Sequence, residues 1–391
     1  MKTPLMLGLA LLLALPVWGQ GRQLTLTPQA SVSVITIAPG DPLWAAFGHS
    51  ALRIQDPSVG LDKAYNYGIF DFTRPTFYAD FAAGRLWYKL GTDPFHRLMR
   101  EYEVQGRWVK EQIIDLSLED KQAVFDYLEE NAKPENANYL YHYFYDNCAT
   151  RLLDVFSDVL GDRIKYNTEH LTEDYSIRDL VDAYTYEHPW GDFGIDLVLG
   201  SGIDSEATPR EVAFLPDYTF LAFENAEIKG ENGWHPAVLA NKVVLDYPPH
   251  PAEYSQPITP ARIMWLVLLI AVFLTIRHHK MPALGRTFDV LLFFILGACG
   301  VVMALIWFAT DHTSTADNYN LIWAWPSHIV MAFFLVKAKW SAKVSRYFRV
   351  VAIFLLLTLV FWWAWPQDMH NALIPLLLAG ALRSFRVGFV G

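Results

Sequence analysis

The sequence predicts an α+β exported domain followed by an α-helical transmembrane bundle of about five helices. Three observations predict it. Just over half of the residues are hydrophobic and the mean hydropathy is positive, which is too apolar for an ordinary soluble protein, and the excess lies in the C-terminal third. The chain begins Met1-Lys2-Thr3, runs apolar over 5–15 and continues Pro16-Val17-Trp18-Gly19-Gln20. A basic start, an apolar core and a small residue at the cleavage point read as a secretory signal peptide over 1–19, with an uncleaved anchor as the alternative. Between these two segments, residues 20–250 mix period-two runs with helical ones.

Taken in order, residues 31–37 (SVSVITI) alternate as a strand does and end at Pro39-Gly40-Asp41-Pro42. Residues 51–55 predict a second strand, and 64–72 (AYNYGIFDF) a third, rich in aromatics. Residues 77–90 read as helix then extended chain, and 107–116 as a further strand. Ser117 caps a helix over 118–131, with Glu119 and Asp120 in its first turn. An aromatic run over 139–145 leads to Asn147-Cys148, where a helix begins that Gly161 ends. Beyond 162 the pattern weakens: short helices are expected near 177–186 and 206–214, a docking or lid region near 217–224, and an extended segment near 241–245. Tyr247-Pro248-Pro249-His250-Pro251 is a stiff linker.

Residues 251–391 carry apolar runs at 263–276, 288–309, 321–336, 350–365 and 372–382. Lys and Arg cluster at 277–280, 337–349 and 383–386, whereas 311–320 and 366–371 carry none. The positive-inside rule puts the first set in the cytoplasm and the second outside. An exported domain entering the first span from outside requires that arrangement if the spans are odd in number. The chain is thus expected to be a multi-pass protein of the inner (cytoplasmic) membrane with its soluble domain in the periplasm.

Composition excludes several classes. Acidic residues outnumber basic ones 41 to 31, so no nucleic-acid partner is expected. No GxGxxG, Walker A, HExxH or CxxC pattern is present, so no metal and no cofactor is expected. There are two cysteines, and Cys299 lies inside an apolar run. A structural disulfide is therefore not expected, and a lone exported thiol at Cys148 needs a chemical reason to exist.

That reason is nucleophilic catalysis. A thiol in the first turn of a helix sits at the positive end of the backbone dipole, near unpaired N–H groups, and both favour the thiolate. Asn147 is placed to cap that helix. His49, after a glycine at the start of a short strand, is the candidate base. Asn66 on the next strand is the candidate for orienting the imidazole, with Asp71 and Asp146 as rivals. The oxyanion is expected to meet the Cys148 backbone N–H and one further donor, for which Tyr145, Asn147 and Ser50 are candidates. Arg151 either pairs a phosphate or is a helix-surface cation. In the membrane half, Asp311, His312, Asn318, Asn320, His328, Asp368, His370 and Asn371 form an external polar set. It is expected either to bind a lipid headgroup or lipoprotein, or to be plain interfacial solvation.

The segments GHSALRI, YNYGIFDF and YDNCATR, in this order, resemble the N-terminal periplasmic domain of the Lnb-type lipoprotein N-acyltransferases of Bacteroidota. The C-terminal helices resemble the transmembrane domain found with it. This resemblance implies a circularly permuted papain-like fold, in which the histidine precedes the cysteine, as in lecithin:retinol acyltransferase. It implies that His49 and Cys148 are the family's motif residues and, more weakly, that Asn66 completes them. It implies a reaction in which an acyl chain leaves a phospholipid donor, rests on Cys148 as a thioester and passes to the free amine of a diacylated lipoprotein acceptor. The rival readings are a cell-wall peptidase or amidase using the same Cys–His pair, and a non-catalytic membrane scaffold.

Overall fold

The computed structural model describes residues 24–70, 73–248, 257–337 and 339–390. The expected signal peptide, Asp71 and most of the 247–251 linker lie outside the described residues.

Alternating side chains build a seven-stranded antiparallel sheet from β1 (Ser31–Ile37), β2 (His49–Asp56), β3 (Leu61–Phe70), β4 (Trp87–Pro94), β5 (Val109–Ile114) and β6 (Asn138–Leu140). A small second sheet contains β7 (Ile164–Tyr166), β8 (Ala226–Gly230) and β9 (Gly233–Pro236). The chain then returns as β10 (Val238–Leu245) to complete the order β10-β5-β1-β2-β3-β4-β6 in the first sheet. Alternation decides which face each residue serves. Val32, Val34, Leu52, Ile54 and Tyr65 point into the main core, while Ile35, Ile37, Ala51 and Ala64 point to the other side.

The helices of this half are α1 (Phe77–Ala82), α2 (Phe95–Val104), α3 (Leu118–Asn131), α4 (Thr150–Leu160), α5 (Ile177–Thr185), α6 (Pro189–Val198), α7 (Pro209–Val212) and α8 (Pro216–Glu224). α3, α4 and α8 cover the main core, where Phe156 of α4 meets Phe223 of α8 edge to face with centroids 5.0 Å apart. α2 covers the opposite face with Phe95, Leu98, Met99 and Tyr102. α3 occupies the expected 118–131, capped by Ser117 accepting from the Asp120 N–H. The expected elements include neither α2 nor α6, although Phe95, Leu98, Met99 and Tyr102 of α2 recur at helical spacing. α6 begins on Pro189 and encloses two glycines, Gly191 and Gly194, a composition that reads as loop until its neighbours are known.

The C-terminal third continues with α9 (Pro260–Ile276), α10 (Pro282–Ala309), α11 (Ser327–Phe334), α12 (Ala342–Val360) and α13 (Leu373–Phe385). By length and composition α10 and the stretch Leu373–Val390 are long and apolar enough to cross a membrane, and α9 is an apolar helix just shorter. The third expected run, 321–336, differs from expectation: it is a short turn at Tyr319–Ile322, then irregular chain, then α11. At 1.5 Å per residue α11 is about 12 Å long, well short of a bilayer core. Pro326 begins it, and the irregular chain lies directly against α10. A Cβ at Gly300 would stand 1.8 Å from the Ala324 carbonyl oxygen, so only glycine admits that approach.

These helices are apolar outside and charged inside. Leu269, Phe273, Ile295, Leu305 and Leu357 are exposed, whereas Asp289 and Arg383 are 0% exposed and paired at 2.5 and 2.9 Å. Arg383 also donates to the Thr275 hydroxyl at 2.8 Å, which ties α9, α10 and α13 together. The expected apolar run 288–309 thus contains a buried charge at Asp289.

Candidate active site

Three backbone devices bring the site together. Gly48 has φ +77, and a Cβ there would come within 2.8 Å of the Ile37 carbonyl, so glycine alone delivers the chain into β2 at His49. The β2–β3 ladder runs from Asp56↔Leu61 to Leu52↔Tyr65; His49 and Asn66 stand beyond its end. The β3–β4 register then slips between Asn66 and Ile69, with Gly68 at φ +90 inside the slip. A Cβ on Gly68 would lie 3.8 Å from Cys148 Cβ and 3.7 Å from the Tyr141 ring. The bulge thus bends β3 around the cysteine. A glycine within an aromatic strand is a readable bulge signal in the sequence.

Cys148 approaches from the helix side. The Asn147 carbonyl accepts the first helical bond, from Arg151 N–H. The Asn147 side chain accepts from the N–H groups of Ala149 and Thr150, both at 2.9 Å, and donates to the Tyr143 and Phe214 carbonyls. Asn147 is therefore a buried cap that holds the turn carrying Cys148, with its amide fully engaged.

Cys148, His49 and Asn66 lie in a row. His49 Nε2 bonds Asn66 Oδ1 at 2.6 Å, and the same ring interacts with the Cys148 thiol. Burial raises the thiol pKa, but the His49 charge, the bond to His49 and the backbone N–H groups of Ser50 and Cys148 override it and hold Cys148 below its ordinary value. Burial lowers the imidazole, but the Cys148 thiolate, the bond to it and the Asn66 bond raise it above its ordinary value. Both shifts favour a thiolate–imidazolium pair. At 9% exposed, Cys148 is buried.

The other expected residues are placed as follows. Asp146 is engaged by the Arg151 guanidinium, bidentate, with one bond at 2.6 Å. It is thus paired away from His49. Arg151 also stacks on the Tyr139 ring, 4.3 Å from its centroid, so its charge is held locally. Ser50 is buried and its backbone N–H faces the sulfur, while its hydroxyl lacks a hydrogen-bond partner. Tyr145 is half-exposed and packs on His142, 4.6 Å between ring centroids. Sequence reasoning misses Arg107: it donates to the Ala38 carbonyl at 2.7 Å, and its charge opposes protonation of His49. Nothing local in the sequence points to it. Among the described residues no His, Cys, Asp and Glu cluster has the makings of a metal site.

The external polar set serves mostly to dock the two halves. Asn318 donates to the Leu197 carbonyl at 2.8 Å and Asn320 to the Asp196 carbonyl at 3.2 Å, satisfying the open end of α6. His312 Nε2 meets the Phe81 carbonyl at 3.1 Å, and the Asp311 N–H donates to the Ala83 carbonyl at 2.8 Å. His370 pairs with Asp192 at 3.3 Å, and the Asp368 N–H donates to Asp204 at 2.8 Å. Asn371 accepts from the Trp362 indole at 3.3 Å. His328 is fully buried between the Tyr347 hydroxyl, 2.6 Å, and the Trp323 carbonyl, 3.2 Å.

Two family models match the chain. The Lnb N-terminal periplasmic domain matches residues 22–183, which include His49, Asn66 and Cys148, and the Lnb transmembrane domain matches residues 252–390. Together they take in about three quarters of the chain. No curated protein and no solved structure matches it. The chain belongs to the Lnb family of lipoprotein-modifying membrane proteins, with a periplasmic part anchored to the membrane.

Proposed function

We propose that this protein is a cysteine-dependent lipoprotein N-acyltransferase of the inner membrane. The observation that carries the reading is the buried row Cys148–His49–Asn66, in which Asn66 holds the imidazole at 2.6 Å and the imidazole and thiol shift each other toward their charged forms. In the first half-reaction the Cys148 thiolate attacks an ester carbonyl of a phospholipid. The new C–S bond forms, the carbonyl oxygen takes the charge, and the backbone N–H groups of Cys148 and Ser50 stabilise it. On collapse the C–O bond breaks, and the His49 imidazolium gives its proton to the departing lysophospholipid oxygen.

In the second half-reaction neutral His49 takes a proton from the N-terminal amine of a diacylated lipoprotein as that amine attacks the thioester. The C–N bond forms, the C–S bond breaks, and the thiolate–imidazolium pair is restored. Asn66 is a positioning residue: its carbonyl oxygen fixes the ring beside the sulfur. In this reading residues 1–19 are a signal peptide, 20–250 the periplasmic domain in a permuted papain-like arrangement, and 251–391 a transmembrane domain of about five helices, in which α11 and the irregular chain before it together take the place of the third span.

The test is trapping. Full-length protein incubated with phospholipid and no acceptor is expected to carry one acyl group on Cys148, released by neutral hydroxylamine and lost in Cys148→Ala. Adding a diacylated lipopeptide should move the acyl group to its amine. Turnover with no adduct, or transfer by Cys148→Ala, would refute the mechanism; release of free fatty acid with the peptide unmodified would favour a hydrolase.

A further inference from the structure

α1 and the strand after it carry an aromatic row that the catalytic scheme does not use. Ring centroids step from Phe81 to Phe77 at 6.1 Å, to Phe70 at 6.2 Å, to Tyr88 at 5.4 Å and to Tyr141 at 4.4 Å. The Tyr141 ring edge and Cys148 Cβ then flank the same point beside Gly68. The row therefore runs without a break from the surface to the nucleophile. Its outer end is an exposed aromatic patch: Tyr78 is 75% exposed, and Phe81 and Trp87 are also exposed.

That outer end is tied to the membrane half. The Asp311 N–H donates to Ala83, His312 meets the Phe81 carbonyl, and a Cβ on Gly84 would stand 2.5 Å from the His312 backbone nitrogen. α1 is thus pinned beside the outer end of α10. Arg74 and Arg85 flank it, 3.6 and 3.7 Å from the Asp80 carboxylate and about half exposed. Two guanidiniums sharing one carboxylate leave a net positive rim. Exposed aromatics with cations at a membrane boundary suit the headgroup region of a leaflet.

We propose that the row Phe81–Phe77–Phe70–Tyr88–Tyr141 is the acyl-chain track, along which the hydrocarbon tail of an outer-leaflet phospholipid lies while its ester reaches Cys148. α1 rests among the leaflet headgroups, and Arg74 and Arg85 contact their phosphates. A bent apolar chain finds continuous ring surface on this path, and the track keeps the same tail shielded from water in the thioester stage. This rests on the acyl-transfer reading, and it adds the substrate's position.

The experiment has two arms. Full-length Cys148→Ala protein, which binds but does not turn over, is placed in phosphatidylethanolamine–phosphatidylglycerol vesicles containing a phospholipid with a diazirine near the end of its acyl chain. After photolysis, adducts are expected on the peptides carrying Phe77, Phe81 and Tyr88; adducts confined to α9–α13 would overturn the track. In the second arm, the Phe77→Ser/Phe81→Ser variant is acylated by p-nitrophenyl palmitate or p-nitrophenyl acetate. Acylation by palmitate should fall about tenfold or more relative to wild type, with acetate unchanged. Equal loss with both esters, or no loss with either, would overturn the proposal. If wild type never forms a thioester while the Cys148→Ala protein still takes the label along the row, the catalytic reading fails and the lipid track stands.

Discussion

Replacing Asn66 by Ala removes the 2.6 Å hydrogen bond to His49 Nε2 and leaves the imidazole free to turn. The consequence follows from the charges. Asn66 is among the groups that raise His49, and His49 is the largest influence lowering Cys148. Without Asn66 the imidazolium is less favoured, so the thiolate loses its partner and the thiol titrates at higher pH. A hydrogen bond to a charged group is worth about 1.5–3 kcal/mol. That corresponds to about one to two pH units in the thiol titration and to about a 10- to 150-fold loss in the rate of thioester formation. The sign is fixed: wild-type alkylation begins below the ordinary thiol range and does not fall at higher pH, because the thiolate remains, whereas thioester formation declines as pH rises through the raised imidazole value and the proton for the leaving oxygen is lost. The assay is the rate of Cys148 alkylation by iodoacetamide against pH, read on the Cys148 peptide by mass spectrometry, beside thioester formation from phospholipid. Asn66→Asp should restore both, because a carboxylate accepts the same bond and favours the imidazolium more strongly. An Asn66→Ala protein with the wild-type alkylation profile and the wild-type acylation rate would refute this account of the site.

Three further outcomes are expected. Asp289→Ala leaves Arg383 charged, buried and unpaired, and should cost about 3–5 kcal/mol, seen as a lower unfolding temperature in detergent; an unchanged temperature would contradict the buried pair. Asp182 has its pKa raised to about 8, by burial first and then by Asp196 and Asp192. A raised carboxyl contributes stability that is full below its ordinary value near 3.8 and erodes as pH climbs toward 8. Asp182→Asn should therefore raise the melting temperature at pH 8 and leave it unchanged near pH 3.5, and the reverse ordering would contradict the sign. Gly200→Ala would drive a Cβ to 1.7 Å from the Ala316 carbonyl, so it should loosen the docking of the 310–320 loop and speed hydrogen exchange there, with the sheet core unaffected.

Several of these features are legible in the chain's own residues. The Gly48-His49 and Asn147-Cys148 pairs point to the candidate site residues, because each glycine or asparagine marks a local backbone need next to a chemical group. The 118–131 helix is readable from its cap and first-turn acids, since capping is a matter of neighbouring residues. α6 and Arg107 are not readable in this way, whereas α2 carries a signal that the expected elements missed: Phe95, Leu98, Met99 and Tyr102 recur at helical spacing. Arg107 acts on His49 from far along the chain, and α6, with its proline and two glycines, owes its form to the surfaces it covers. The external asparagines show the same limit: hydropathy and charge mark them as polar and outside, and only the fold reveals that Asn318 and Asn320 are spent on the carbonyls of α6.

The two-part plan and the apolar C-terminal third were legible in the sequence, which also supplied the candidate site residues, since hydropathy, capping and residue type are local properties. Tertiary structure alone decided which polar group holds His49. Asn66 and Asp146 are both within reach of a sequence argument; the bulge at Gly68 and the end of the β2–β3 ladder deliver Asn66 to the ring, while Arg151, in the first turn of α4, takes Asp146 away. Tertiary structure also decided that the third apolar run is a short helix behind irregular chain. Gly300 opens a groove on α10 that only a bare backbone fills, and that complementarity exists between segments, not within either one.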